Sequence, residues 1–255
     1  MFGLFKRGSL PDFLIIGAQK AGTSAFYELL SQHPSVISRP GEIHFFDVQY
    51  ELGPRWYRAQ FPTWRKSGMI VGDKSPYYLY HPLAPVRAHS LIPKAKVIAL
   101  LRNPIDRAYS QYWMNLRKNQ EELPFSDAVK VEKERLAGLE DAILATGITN
   151  PFSSHRLHSY LARGCYLEQI KRWQTYYPPD QMKILLYEDL RDNPEAVMRE
   201  ILPFLGLPEY DRFDYQVGKT NSYPPMDRTV RSELEAYFRS HNEQLELFLK
   251  RKLFY

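Results

Sequence analysis

The sequence predicts an α/β fold, a single domain in which a central parallel sheet is flanked by helices. Three observations carry that prediction. Four short apolar runs, FLIIG (13–17), MIVGD (69–73), KVIALL (96–101) and KILLYEDL (183–190), are each bounded by glycine, proline or charged turn residues, the pattern of strands buried on both faces. Helical patterns lie between them, and strand alternating with helix builds a parallel sheet covered on both sides. The first run leads into GAQKAGTS, a glycine-spaced loop that opens a helix, the layout of a P-loop-like nucleotide-binding fold.

Along the chain each element has its own warrant. Residues 1–11 read as a flexible N-terminal segment, because MFGLFKRGSLPDF is broken by charge and by Pro11 before any apolar run adequate for a secretory signal. TSAFYELLSQH sets Phe26, Leu29 and Leu30 at helical spacing. PIDRAYSQYWMNLRKN has Asn103 as a cap and Pro104 in its first turn. Residues 117–163 differ: the charged, amphipathic FSDAVKVEKERLAGLEDAILATG and the polar NPFSSHRLHS read as a helical insertion, either solvated surface helices or a lid or wall for a substrate. YLEQIKRWQTYY and PEAVMREILPFLG resume the alternation, the latter running from Pro194 to a stop at Gly206. TVRSELEAYFRSHNEQLELFLKR closes the chain as a helix.

Composition narrows the function classes. At 255 residues one domain can bury a substantial core. The 34 basic and 29 acidic residues are scattered, which argues against a nucleic-acid binder and suits a small anionic ligand. Cys165 is the only cysteine, so no intrachain disulfide forms and a reducing, cytoplasmic compartment is expected. No apolar stretch is long enough to span a bilayer. His155 and His158 lack a third ligand at suitable spacing, so they read as a solvated pair and no metal is expected.

In open α/β sheets ligands bind at the carboxyl ends of strands, which directs attention to the loops after Gly17, Asp73, Leu101 and Tyr187. Gly17 and Gly22 let backbone amides turn inward beside a helix N-terminus, and Ala21, Gly22, Thr23 and Ser24 can together hold an anion. A triphosphate-binding loop puts lysine after the second glycine, but here Thr23 stands there and Lys20 lies inside the loop. Lys20 is thus placed to neutralise a leaving phosphate oxygen. Arg102 ends a strand and can fork two donors onto a phosphate, with Ser110 on the next helix as a hydroxyl donor; the competing reading pairs Arg102 with Asp106. In GEIHFFD an extended backbone would point Glu42 and His44 to one side, giving two candidate proton acceptors. Lys74 follows a strand end and faces the same cleft. Tyr77, Tyr78 and Tyr80 line that cleft or pack in the core.

With GAQKAGTS and LLRNPIDRAYSQY in this order, the chain resembles the sulfotransferases that use 3′-phosphoadenosine 5′-phosphosulfate (PAPS). LLYEDLRDNP is similar to a third segment of that family, and RPGEIHFFD resembles its heparan-sulfate and bacterial branches. The resemblance implies transfer of the PAPS sulfonate to a hydroxyl or amine of a small-molecule, glycan, lipid or carrier-bound acceptor. It implies Glu42 as the general base, with His44 assisting or itself the base, and Lys74 on the transferring sulfonate. It implies Tyr187 beside the adenine, with Tyr166 a further candidate. It also implies that Lys219, Thr220 and Asn221 cover the nucleotide, although the expected glycine and flanking cysteine pair are missing there. The missing cysteines and the lack of an anchor favour a soluble bacterial-type enzyme. An ATP-dependent small-molecule kinase and a non-catalytic nucleotide-binding protein of the same fold are the alternatives.

Overall fold

The computed structural model describes residues 8–216 and 222–253. The described residues form strands β1 (Phe13–Gly17), β2 (Val36–Ile37), β3 (Ile70–Lys74), β4 (Lys96–Leu101) and β5 (Met182–Leu186). They pair in parallel in the order β2-β3-β1-β4-β5. Every residue of β1 is buried, as its unbroken apolar sequence demands of a central strand. From β1 the chain builds outward to one side through β3 and β2, then to the other through β4 and β5. The order therefore reverses between β1 and β4, and the crevice at their carboxyl ends is where such sheets bind ligands.

The helices are α1 (Thr23–Ser31), α2 (Gly53–Ala59), α3 (Ala84–Leu91), α4 (Pro104–Arg117), α5 (Phe125–Lys130), α6 (Glu132–Leu136), α7 (Leu139–Thr146), α8 (Ser154–Leu157), α9 (Tyr166–Gln174), α10 (Tyr187–Asp192), α11 (Pro194–Phe204) and α12 (Arg228–Leu249). Among the described residues no helix is long and apolar enough to cross a membrane. Asn103 caps α4 as predicted, its side chain accepting from the amides of Ile105 and Asp106. That cap fixes the start of α4 directly after Arg102.

Three features depart from the sequence reading. KILLYEDL is strand only to Leu186, and Tyr187–Asp192 is the helix α10. Glu188 and Asp189 fall in its first turn, where carboxylates suit the helix dipole, and Glu188 Oε1 takes the Asn103 amide at 2.9 Å. The two-residue β2 is too short to carry a periodic signal. Residues 8–11, within the segment expected to be flexible, are docked: Ser9 bonds through both its amide and its hydroxyl to Pro62 O at 3.0 Å, and Leu10 packs on the core.

The 117–163 region is a set of short helices with its own anchoring rather than a solvated face. Glu121 accepts from Arg135 at 2.6 and 3.1 Å and from the Tyr160 hydroxyl at 2.9 Å. Buried Glu132 takes the amides of Leu161 and Ala162 at 2.7 and 2.8 Å. A second apolar cluster, including Tyr112, Phe125, Tyr160 and Phe238, fastens the region to α4 and α12.

Candidate active site

The carboxyl ends of β1, β3, β4 and β5 bring together four of the predicted segments. After β1 the loop turns through Lys20 (φ 72°) and Gly22 (φ 79°), both left-handed. Gly22 is obligatory on two counts, since a Cβ there would also stand 2.7 Å from the Tyr187 ring. Among the described residues no side chain caps α1, so the amides of Gly22, Thr23 and Ser24 stay open for an anion; the Ala21 amide, expected to join them, instead donates to Ala18 O at 3.1 Å and closes the turn. Burial lowers the Lys20 pKa, and Arg117, Arg102 and Lys118 lower it further, while Glu42 partly offsets them. This concentration of positive charge suits an anionic ligand.

Arg102 leaves β4 and interlocks with that loop. Its Nη1 donates to Lys20 O at 3.0 Å, and its guanidinium lies 4.7 Å above the Tyr187 ring. Tyr187 therefore touches both the loop glycine and the arginine. Asp106 does not pair with Arg102; it pairs with Arg231 instead. Ser110 is buried on α4, and among the described residues no hydrogen bond joins it to Arg102. Tyr166 is a core residue whose hydroxyl donates to Arg102 O at 2.8 Å. Lys219, Thr220 and Asn221 lie outside the described residues.

Glu42 and His44 converge, but not because the segment is extended. His44 has φ 54°, and the turn folds its ring back so that Nε2 lies 3.0 Å from Glu42 Oε2. Its Nδ1 lies 2.8 Å from Asp47 Oδ2, a partner the sequence reading missed although it stands three positions on. A carboxylate within hydrogen-bond reach of each nitrogen favours the imidazolium form of the ring. Burial alone would pull the His44 pKa down, but Asp47 and Glu42 push it up to about 9. Burial pushes Glu42 up, and His44 with Lys74 overrides it to hold the carboxyl at about 2.

Lys74 joins the two halves of the site. Its Nζ donates to Ser24 Oγ at 3.0 Å and to Glu42 Oε1 at 3.3 Å, with the side chain only 8% exposed. One ammonium thus spans the anion loop and the candidate base.

Beneath Lys74 lies an anchor that the sequence did not suggest. Asp73 is buried, with Oδ2 accepting from the Tyr57 hydroxyl at 2.8 Å and the Tyr78 hydroxyl at 3.1 Å, and Oδ1 from Ser75 Oγ at 3.2 Å. Ser75 Oγ in turn accepts the His44 amide at 3.0 Å, and Tyr78 OH accepts the Phe45 amide at 2.8 Å. One carboxylate therefore orients two hydroxyls that hold the left-handed turn at His44. Burial raises the Asp73 pKa to about 6 despite those three donors. Tyr77 and Tyr78 are core residues and do not line the cleft.

The insertion reaches the site through Arg156, whose Nη2 stands 3.4 Å from His44 Nε2. His155 and His158 are not the expected solvated pair. His155 is buried, with Nδ1 2.6 Å from the Tyr77 hydroxyl, and His158 contacts Ser154 Oγ at 3.0 Å and Gln120 O at 2.8 Å.

Residues 10–238 match the family model described as the sulfotransferase domain. The chain belongs to the sulfotransferase family. Over 272 residues it is 35% identical to human bifunctional heparan sulfate N-deacetylase/N-sulfotransferase 3, covering 94% of this chain and 30% of that protein. Over 274 residues it is 36% identical to the mouse N-deacetylase/N-sulfotransferase 4, covering 95% and 30%. The chain thus spans about a third of the length of these curated relatives. Among solved structures, the sulfotransferase from Alicyclobacillus acidocaldarius superposes with a TM-score of 0.79 at 28% identity, covering 96% of this chain and 98% of that one. The sulfotransferase domain from the curacin biosynthetic pathway shares the fold, with a TM-score of 0.55 at 16% identity.

Proposed function

We propose that the protein transfers the sulfonate of PAPS to a hydroxyl or amine of its acceptor by in-line displacement. The acceptor oxygen or nitrogen forms a new bond to sulfur, the bond from sulfur to the 5′-phosphate oxygen breaks, and adenosine 3′,5′-bisphosphate leaves. The acceptor proton passes to Glu42. Lys20 and the amides of Gly22, Thr23 and Ser24 take the charge that grows on the leaving phosphate, Lys74 faces the sulfonate, and Arg102 with Ser110 holds the 3′-phosphate. Tyr187 borders the nucleotide beside Arg102. Family membership supports this reading, and one observation carries it in the structure: the Lys74 ammonium bonds at once to Ser24 and to Glu42.

The same bridge explains how a carboxyl held at about 2 serves as a base. When Lys74 turns to a sulfonate, Glu42 loses one of its two cationic partners and its affinity for a proton rises. His44, fixed by Asp47, is then the orienting partner of Glu42, since an imidazolium has no free lone pair with which to act as the base itself. For the acceptor we favour a glycan amine or hydroxyl, because the N-sulfotransferase relatives named above match nearly the whole chain. The single cysteine supports a reducing, cytoplasmic setting, and the match to a bacterial sulfotransferase over nearly its full length supports a bacterial-type enzyme.

Incubation with PAPS carrying a radiolabelled sulfonate, together with a panel of amino-sugar and hydroxyl acceptors, tests the proposal. It expects labelled product whose formation depends on Glu42. Donor binding without transfer to any acceptor would favour the non-catalytic alternative.

A further inference from the structure

Two arginines stand behind the donor loop, and neither forms a salt bridge to a carboxylate among the described residues. Arg107 on α4 is 0% exposed, and Arg163, just before α9, is 2% exposed. Arg163 Nη1 donates to Gln19 Oε1 at 2.6 Å, and Nη2 donates to the main-chain oxygens of His155, at 3.2 Å, and Arg156. Its guanidinium lies 4.7 Å over the Tyr77 ring and 5.3 Å over that of Tyr80. Arg107 donates to Gln19 O at 3.5 Å, to Gln111 Oε1 at 2.8 Å and to Tyr160 O. Among the described residues, Nε of each is buried without a partner. Glu132 is the acid that acts on Arg107 across a distance, and its oxygens are already occupied by the amides of Leu161 and Ala162.

A buried charge is costly unless an opposite charge answers it. Around Arg163, carbonyl oxygens and tyrosine faces supply dipoles, not a counter-charge, and burial lowers its pKa accordingly, while Arg107 has only Glu132 acting from a distance. Both guanidiniums converge on one residue, Gln19, which precedes Lys20 in the loop that cradles the donor. The missing negative charge is therefore expected on the far side of that loop.

We infer that Arg163, backed by Arg107, is a positioning residue of the donor site, acting through Gln19 so that the 5′-phosphosulfate group of the bound nucleotide supplies the counter-charge. The inference rests on the PAPS reading above. It also gives the insertion a role, because the same guanidinium that grips Gln19 holds the main-chain oxygen of Arg156, whose side chain reaches His44. The wall on the acceptor side and the loop on the donor side are thereby tied to one side chain.

Calorimetric titration with two probes tests it: adenosine 3′,5′-bisphosphate, and adenosine 3′-monophosphate, which lacks the 5′ group. Arg163→Met is expected to weaken the bisphosphate about tenfold, the scale of one charge acting through a medium of intermediate dielectric, and to leave the monophosphate unchanged. Arg163→Lys, which keeps the charge, recovers most of the loss. Gln19→Leu severs the same contact from the loop side and shows the same selective loss, so it carries the test if Arg163→Met folds poorly. Equal weakening of both probes, a lysine variant as impaired as the methionine one, or bisphosphate binding unchanged in Arg163→Met and Gln19→Leu overturns the inference. A wild-type protein that ignores the bisphosphate sinks the donor assignment itself, so the two failures are distinguishable.

Discussion

The proposed donor side and the proposed base side of this cleft handle charge in opposite ways. Around the loop after β1, Lys20 and Arg102 gather positive charge, Arg102 resting on the Lys20 main-chain oxygen and the Tyr187 ring face, and open helix amides add to it. On the base side, Glu42, His44, Asp47 and Lys74 form a closed chain in which each charge already has an opposite partner. A site short of negative charge is built to bind an anion. A site whose charges are balanced is built to move a proton once that balance is disturbed. Lys74 belongs to both and connects them.

Breaking the base side has the largest expected effect. Glu42→Gln lowers sulfonate transfer by about 10²–10⁴-fold, the usual contribution of a general base, while the calorimetric affinity for adenosine 3′,5′-bisphosphate stays within about twofold, on the order of 0.4 kcal/mol. Transfer unaffected by that substitution removes Glu42 from its role. Next comes the donor side. Arg102→Ala is expected to weaken bisphosphate binding by roughly tenfold to a hundredfold, as loss of charged hydrogen bonds worth ~1.5–3 kcal/mol requires. Adenosine 5′-monophosphate, which has no 3′-phosphate, binds the variant as it binds the wild type; weakening of both nucleotides alike contradicts the assignment.

The anchor under the base loop gives a smaller effect that sharpens the comparison. Tyr78→Phe leaves the Phe45 amide without its acceptor and Asp73 with two donors instead of three, at a cost of about 1–3 kcal/mol in stability. Ser75→Ala does the same for His44. Each lowers kcat about tenfold in the wild-type background, a loss of roughly 1.4 kcal/mol in transition-state stabilisation, but adds little once Glu42 is glutamine, because both act through the turn that presents it. Equal losses in the two backgrounds show that the anchor serves the fold and not the base.

The smallest effect concerns pH. The His44 pKa in the folded protein, about 9, lies above its ordinary 6.5, so the stability from its two carboxylate partners is complete below pH 6.5 and lost as pH rises through 9. Glu42 runs the other way: held at about 2 against an ordinary 4.5, its contribution is present above 4.5 and lost as pH falls through 2. Thermal melts between pH 6.5 and 10 should show wild type losing about 2–4 °C relative to His44→Asn, the shift that roughly 1 kcal/mol produces in a domain of this size. Parallel curves contradict an imidazolium at that position.

The loop after β1 and the place of Arg102 were legible in the sequence because their geometry is local. A strand, two glycines and a helix start specify an anion loop within a dozen residues, and Asn103 marks where Arg102 must leave its strand. The base side was legible only in part. Glu42 and His44 meet as expected, yet through a left-handed turn rather than by strand alternation, since the forces that bend the backbone there come from Ser75 and Tyr78. Asp73 closes an apolar run and looks like any turn acid until three hydroxyls from separate positions are folded onto it. Arg163 is further still, 144 residues from the glutamine it grips, and no local pattern predicts such a contact.

The central claim is that the reversal between β1 and β4 binds a nucleotide by its 5′-phosphate loop and its 3′-phosphate arginine together. Calorimetric titration of the wild-type protein with adenosine 3′,5′-bisphosphate, set against ADP with magnesium, tests it most directly. The account predicts saturable binding of the bisphosphate and a clear preference for it over ADP. Preference for ADP with magnesium would contradict it and return the site to a kinase.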